Sequence, residues 1–174
     1  MIHGSIKFPG DKSISHRALM IASLSPEASQ IKNLSNGDDV KSTKRCLKQC
    51  GININEYPGN LTSINGNTFS DPKDDLDCGN SGTTVRLLSG LLGGQKINAR
   101  LIGDISLSKR PMNRIVDPLS KMKVIINSSN GRMILNGWAA SQGAGGGYQA
   151  GSSQVSIAWI VVYASSFTGT PYVP

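Results

Sequence analysis

An internal repeat restricts the fold of this chain more than any other feature. "GDKSISHRALMIASLS" (10–25), "GNSGTTVRLLSGLLGG" (79–94) and "AGSSQVSIAWIVVYAS" (150–165) share one plan. Each is a small-residue loop rich in Gly and hydroxyls, followed by three turns of apolar helical pattern. Arg17 aligns with Arg86 and Val85 with Val155, a period of about seventy residues, which points to stacked supersecondary units. Strand-like stretches follow the first two helices, "SQIKNLSNGDD" (29–39) and "KINARLIGD" (96–104). A second helix comes next in each unit. In "VKSTKRCLKQCG" (40–51), Val40, Leu47 and Cys50 share a face and Gly51 is the stop signal. In "RPMNRIVDPLSKM" (110–122), Pro111 suits a first helical turn, and Pro118 is expected to bend or interrupt the helix. Each unit ends in a strand pair, "ININE" and "LTSIN" around "YPGN", then "KVIIN" and "RMILN" around "SSNG". The reading is therefore an α/β (α+β) fold of βαβαββ units over about 1–70, 71–137 and 138–174. The third unit lacks its second helix and strand pair, so the chain is expected to be a fragment or an excised domain. Residues 137–151, "GWAASQGAGGGYQAG", read as flexible or low-complexity.

Composition narrows the partners. The 174 residues carry 18 Lys and Arg against 11 Asp and Glu, a formal charge of +7, which favours anionic partners. Aromatic residues make up only 5%, too few for base stacking along single-stranded nucleic acid. No signal peptide and no apolar run of membrane-spanning length is present in the sequence. Cys46, Cys50 and Cys78 are odd in number and form no C-x-x-C pair, so they are read as core thiols in a reducing cytoplasm. Two histidines and wrongly spaced cysteines offer no metal set. Neither G-x-x-x-x-G-K-[ST] nor G-x-G-x-x-G occurs, which disfavours the usual nucleotide cradles.

The chemistry is expected at the three loop-to-helix junctions. A helix start offers free N–H groups and a partial positive charge, a ready anion site. Lys12, His16 and Arg17 add cations at the first such start, where they repel one another unless an anion lies among them. If the units pack around a pseudo-threefold axis, one site gathers Lys12 and Ser13, Asn80 through Thr83, and Ser152 through Gln154. Arg17, Arg86 and Arg110 then stand close behind. Each feature has a plainer reading. A Gly-Ser loop before a helix is ordinarily a cap. Arg17 and Arg86 taken singly are surface arginines, and His16 is a helix-surface or capping histidine. Asp38 or Asp39 could be a catalytic carboxylate, but a helix N-cap accounts for at least one of them.

"PGDKSISHRALMIASLS", "LDCGNSGTTVRLLSGLL" and "GDISLSKRPMNRIVDPL", in that order, resemble the 5-enolpyruvylshikimate-3-phosphate synthase family over residues 3–125. "AGSSQVSIAWIVVYASSFTGT" resembles that family's third motif more loosely. The resemblance implies two similar domains of three βαβαββ units each, of which this chain is the N-terminal one, lacking the second domain. It implies transfer of the carboxyvinyl group of phosphoenolpyruvate to the 5-hydroxyl of shikimate 3-phosphate, with no cofactor or metal. It also implies roles. Lys12 contacts both substrates at the reacting centre. Ser13, Arg17, Ser152, Ser153 and Gln154 hold shikimate 3-phosphate, the two serines on its 3-phosphate. Gly82 and Arg110, with Lys12 and Gln154, hold phosphoenolpyruvate, and its analogue glyphosate inhibits in that pocket. Asn80, Thr83 and Arg86 line the wall. The family's acid/base carboxylates lie in the other domain, so this chain alone is expected to be inactive. Ser156 stands where the family commonly has lysine, and "AWIVV" replaces smaller residues. A sister enzyme acting on UDP-N-acetylglucosamine fits "DKSISHRA" and "KRPM" poorly. The alternative from another class is a non-catalytic module of the same fold that binds phosphate or RNA backbone.

Overall fold

The structure is a computed structural model that describes residues 3, 8–66, 68–95, 97–121, 124–129 and 132–138. The proposed third unit, with Ser152, Ser153 and Gln154, lies outside the described residues, as does the segment expected to hold the first strand of the first unit. The elements in chain order are α1 (Lys12–Leu24), β1 (Ala28–Lys32), α2 (Asp38–Gln49), β2 (Asn53–Tyr57) and β3 (Leu61–Asn65). They continue with β4 (Leu76–Asp77), α3 (Gly82–Gly93), β5 (Asn98–Ile102), α4 (Ile105–Ser108), α5 (Asn113–Lys121), β6 (Val124–Ser129) and β7 (Arg132–Trp138).

Two mixed-sequence sheets result. One has the order β1-β3-β2, all antiparallel. The other has the order β4-β5-β7-β6, with β4 parallel to β5 and the remaining pairs antiparallel. The β5-β7-β6 part of the second repeats the order of the first. Strand alternation puts one face of each sheet inward. Thr62 and Ile64 point into the core from β3, Ala99 and Leu101 from β5, and Met133 and Leu135 from β7. In register, Ala99 and Ile126 flank Leu135, so three strands contribute one apolar row.

The helices cover that face. α3 is buried along nearly its whole length, through Val85, Leu87, Leu88, Leu91 and Leu92. It packs against α1, α2, α5 and strands β5, β6 and β7. Its small residues allow this: Ser89 hydrogen-bonds Val85 O at 2.6 Å, and a Cβ at Gly93 would lie 3.1 Å from Val124 Cγ1. Each aliphatic side chain so buried contributes roughly 1.5–3 kcal/mol. In α2 the expected Val40–Leu47–Cys50 face is fully buried, and Gly51 ends the helix at φ +89°, a conformation that glycine alone adopts freely. Cys46 and Cys78 are buried too, so all three thiols are core groups.

Three details differ from expectation. Pro111 precedes α5, which begins at Asn113, and the first turn instead hangs on Met112 O, which accepts from Ile115 N and Val116 N. Of the bend or interruption expected at Pro118, the interruption does not occur: the helix runs through it. The carbonyl that loses its N–H partner there belongs to Arg114, an exposed residue, where water can replace it. A one-turn helix, α4, stands between β5 and α5, capped by Asp104, whose carboxylate accepts from Leu107 N at 2.7 Å.

Candidate functional site

The site is built from helix starts. Asp11 caps α1 by accepting from Ile14 N at 2.7 Å, and Ser81 caps α3 by accepting from Thr84 N at 3.1 Å. Both caps satisfy the third N–H and leave those of Lys12 and Ser13, and of Gly82 and Thr83, without acceptors among the described residues. The two helix starts therefore carry the same pair of free donors.

The basic side chains gather around them. Lys12, the first residue of α1, extends to Asp39, with Nζ 2.8 Å from Oδ2. The lysine side chain is 55% exposed and the carboxylate 24%. A pair this wet contributes at most about 1 kcal/mol, so Asp39 holds Lys12 in place without locking it. The carbonyl of the same Asp39 lies 3.2 Å from Thr84 Oγ1. One residue of α2 thus ties Lys12 to the first turn of α3. On α3, a Cβ at Gly82 would meet Arg110 Nη1 at 3.0 Å and Arg86 Cζ at 3.9 Å. The two guanidiniums converge over a glycine that leaves backbone N–H groups uncovered. Neither has a hydrogen-bond or ion-pair partner among the described residues, and the same holds for the half-buried Arg17. Beside Arg110 an open depression is lined by Asp104, Ile105, Ser106, Lys109 and Pro111.

Of the residues singled out in the sequence, Gly82, Arg86 and Arg110 come together directly. Lys12 joins them through Asp39, Thr83 is half-buried on the α3 start, and Ser13 and Asn80 are exposed beside the two starts. His16 does not lie on a helix surface; it is fully buried. Leu19, Met20 and Ser23 continue the same buried stripe, so His16 takes a core position by helical spacing. Burial lowers its pKa from 6.5, opposed by Asp39 and assisted by Lys12. Neither Asp38 nor Asp39 is an N-cap. Gly37 holds that position in extended backbone, and both carboxylates sit in the first turn, where the helix dipole favours them. Asp38 pairs with Lys41, which lowers its pKa by hydrogen bonding. Ser81 lies within the 80–83 stretch singled out in the sequence, whereas Thr43 and Thr84 were not identified there; only the spacing of buried hydroxyls along α2 and α3 could have drawn attention to them.

No group of three or more His, Cys, Asp or Glu side chains able to hold a metal ion occurs among the described residues. No described helix is long and apolar enough to cross a membrane. Converging donors and arginines without carboxylate partners among the described residues define the class: a mixed α/β protein whose helix starts present an arrangement suited to anions.

Comparison with known proteins makes this specific. The profile of EPSP synthase (3-phosphoshikimate 1-carboxyvinyltransferase) matches residues 1–169, and the chain belongs to that family. A 3-phosphoshikimate 1-carboxyvinyltransferase from Ruthia magnifica is 45% identical over 137 residues, 77% of this chain and 31% of that protein. Another from Oenococcus oeni is 49% identical over 123 residues, 70% of this chain and 28% of that protein. The solved EPSP synthase of Acinetobacter baumannii superposes with a TM-score of 0.75 at 32% identity, covering 91% of this chain and 37% of that one. The chain thus spans about a third of the length of the relatives it matches.

Proposed function

We propose that this chain is the shikimate-3-phosphate-binding part of an enzyme that transfers the carboxyvinyl group of phosphoenolpyruvate to the 5-hydroxyl of shikimate 3-phosphate. The reaction adds the hydroxyl oxygen to C2 of the enol phosphate and a proton to C3 to give a tetrahedral ketal, then eliminates inorganic phosphate from C2 with a proton from C3 to leave an enol ether. Both substrates carry a phosphate and a carboxylate, so bringing them together requires fixed cations. The observation that carries the reading is the convergence of Arg86 and Arg110 over Gly82, at a helix start with free N–H groups. We assign phosphoenolpyruvate to Gly82 and Arg110, with Asn80, Thr83 and Arg86 as the wall. Ser13 and Arg17 take shikimate 3-phosphate, and Lys12 stands between the two substrates. Ser152, Ser153 and Gln154 complete the site on this reading, in a third unit related to the first two by a pseudo-threefold axis. The matching sheet orders β1-β3-β2 and β5-β7-β6 support that arrangement. The required partner is the remainder of the family's length, a second domain that supplies the acid/base groups, and the setting is the cytoplasm.

The test is phosphate release from the two substrates, measured with the chain alone and with the complementary part of a relative added as a separate polypeptide. Release only in the mixture, abolished by Lys12→Ala, supports the proposal. Turnover by the chain alone would overturn the assignment of acid/base chemistry to the complementary part, because proton transfer needs a group within hydrogen-bond reach.

A further inference from the structure

Beneath the cationic surface runs a chain of buried side-chain hydrogen bonds. It begins at His16 on α1, whose Nδ1 lies 2.8 Å from Thr43 Oγ1 on α2. Thr43 Oγ1 is 2.8 Å from Thr84 Oγ1 on α3, and Thr84 Oγ1 is 2.8 Å from the oxygen of Ser81, the α3 cap. All four side chains are between 0% and 1% exposed. The chain links three helices, and its ends lie next to the two helix starts of the site. Thr84 Oγ1 also lies 3.2 Å from the carbonyl of Asp39, the residue that holds Lys12.

The direction of this chain follows from its free end. His16 Nε2 is buried and has no partner among the described residues. If Nε2 carried the proton, a buried N–H donor would go unsatisfied, the rarer and more costly kind of orphan. If Nδ1 carries it, His16 donates to Thr43, Thr43 to Thr84 and Thr84 to Ser81, each threonine hydroxyl receiving one proton and giving its own along a 2.8 Å contact in preference to the Asp39 carbonyl, which lies 3.4 Å from Thr43 Oγ1 and 3.2 Å from Thr84 Oγ1. Ser81 then accepts twice, from Thr84 N and Thr84 Oγ1.

We propose that His16 is a positioning residue, which as the neutral Nδ1–H tautomer heads a one-way hydrogen-bond chain through Thr43 and Thr84 to Ser81 and so holds the Lys12 end of α1 in register with the Gly82 end of α3. Its purpose rests on the function proposed above: the wall assigned to shikimate 3-phosphate begins at one end and the wall assigned to phosphoenolpyruvate at the other. His16 touches neither substrate. A misplacement of one helix start against the other separates cations that must act on adjacent substrates, and small displacements of that kind are costly to catalysis.

The ring nitrogens of the intact 15N-labelled chain test this directly. Two-bond 15N–1H correlation at neutral pH distinguishes the tautomers, and the loss of signals in His16→Asn separates His16 from His3. Protonated Nδ1 with bare Nε2 is expected; protonated Nε2 would overturn the proposal. A second arm uses paired variants. The Asn side chain places an N–H near the position of Nδ1, whereas Gln places it near Nε2. His16→Asn should keep shikimate 3-phosphate affinity within about twofold and leave the Thr84 amide resonance in place, while His16→Gln and Thr43→Val should weaken binding about tenfold. Equal behaviour of the Asn and Gln variants would also overturn the proposal. If the unmodified chain binds no shikimate 3-phosphate, the functional reading fails, and the tautomer and the Thr84 resonance still decide the role of His16.

Discussion

Replacing Gly82 with alanine separates stability from binding. The added Cβ would stand 3.0 Å from Arg110 Nη1, 3.9 Å from Arg86 Cζ and 4.0 Å from Arg86 Nη1. Only the first contact is tight, and it is with the far end of an exposed side chain that can move by a few tenths of an ångström. The backbone φ of Gly82 is not positive, so alanine fits without strain. Restricting the unfolded chain should then stabilise the fold by about 0.4–1 kcal/mol. For a chain of this size that raises Tm by roughly 1–4 °C. The ligand meets the opposite effect, because the methyl group occupies the approach to the Gly82 and Thr83 N–H groups between the two guanidiniums. Loss of one charge-assisted hydrogen bond costs about 1.5–3 kcal/mol, a weakening of about 10- to 150-fold. Thermal melts of the chain give the first quantity. Titration of phosphoenolpyruvate or glyphosate into the enzyme reconstituted with its complementary part gives the second, with shikimate 3-phosphate as the control that changes less. A lower Tm would mean the site is overpacked and Gly82 structural. Equal losses for all ligands would remove Gly82 from the phosphoenolpyruvate wall.

Other outcomes follow from the same geometry. Lys12→Ala and Arg17→Ala should each weaken shikimate 3-phosphate binding by about 1.5–3 kcal/mol by calorimetry, with unchanged melting, since neither side chain is in the core. The lowered pKa of His16 sets a pH dependence: the unfolded chain takes up a proton near 6.5 while the native chain stays neutral, so stability falls as pH drops from 6.5 toward the native value. Lys12 and Asp39 are the charged groups facing that ring, and urea midpoints should show the loss in the unmodified chain and its absence in His16→Asn. Burial, with Cys46 and Asp71 nearby, pushes the Cys50 thiol up to about 12, so at about pH 8 iodoacetamide should leave Cys50 unmodified in the native chain and label it in urea.

Local signals made much of the fold legible in the sequence. The Gly51 stop and the "YPGN" turn act within a few residues, and each lies where the pattern put it. Pro118 does not interrupt α5, because the cost of a proline depends on what surrounds the freed carbonyl, here that of exposed Arg114, a tertiary fact. The site divides in the same way. Gly82, Arg86 and Arg110 were identified from the motifs and do converge. The pairing of Lys12 with Asp39 spans 27 residues and joins two helices, so it required the packing to be known. His16 stood among basic residues and was read with them, although its spacing to Leu19, Met20 and Ser23 already placed it inside. The Thr43–Thr84 contact spans 41 residues, and no local pattern marks either threonine.

The central claim is that these cations serve a particular small substrate and not phosphate groups in general. Titrating the 15N-labelled chain with shikimate 3-phosphate, and separately with an RNA oligonucleotide and with polyphosphate, tests it most directly. Saturable shifts at Lys12 and Arg17 with shikimate 3-phosphate, extending to Arg110 when phosphoenolpyruvate is added, and much smaller shifts with the polyanions at matched ionic strength, are predicted. Equal shifts with all three ligands, falling together as salt is raised, would contradict it and assign the site to a general phosphate-binding module.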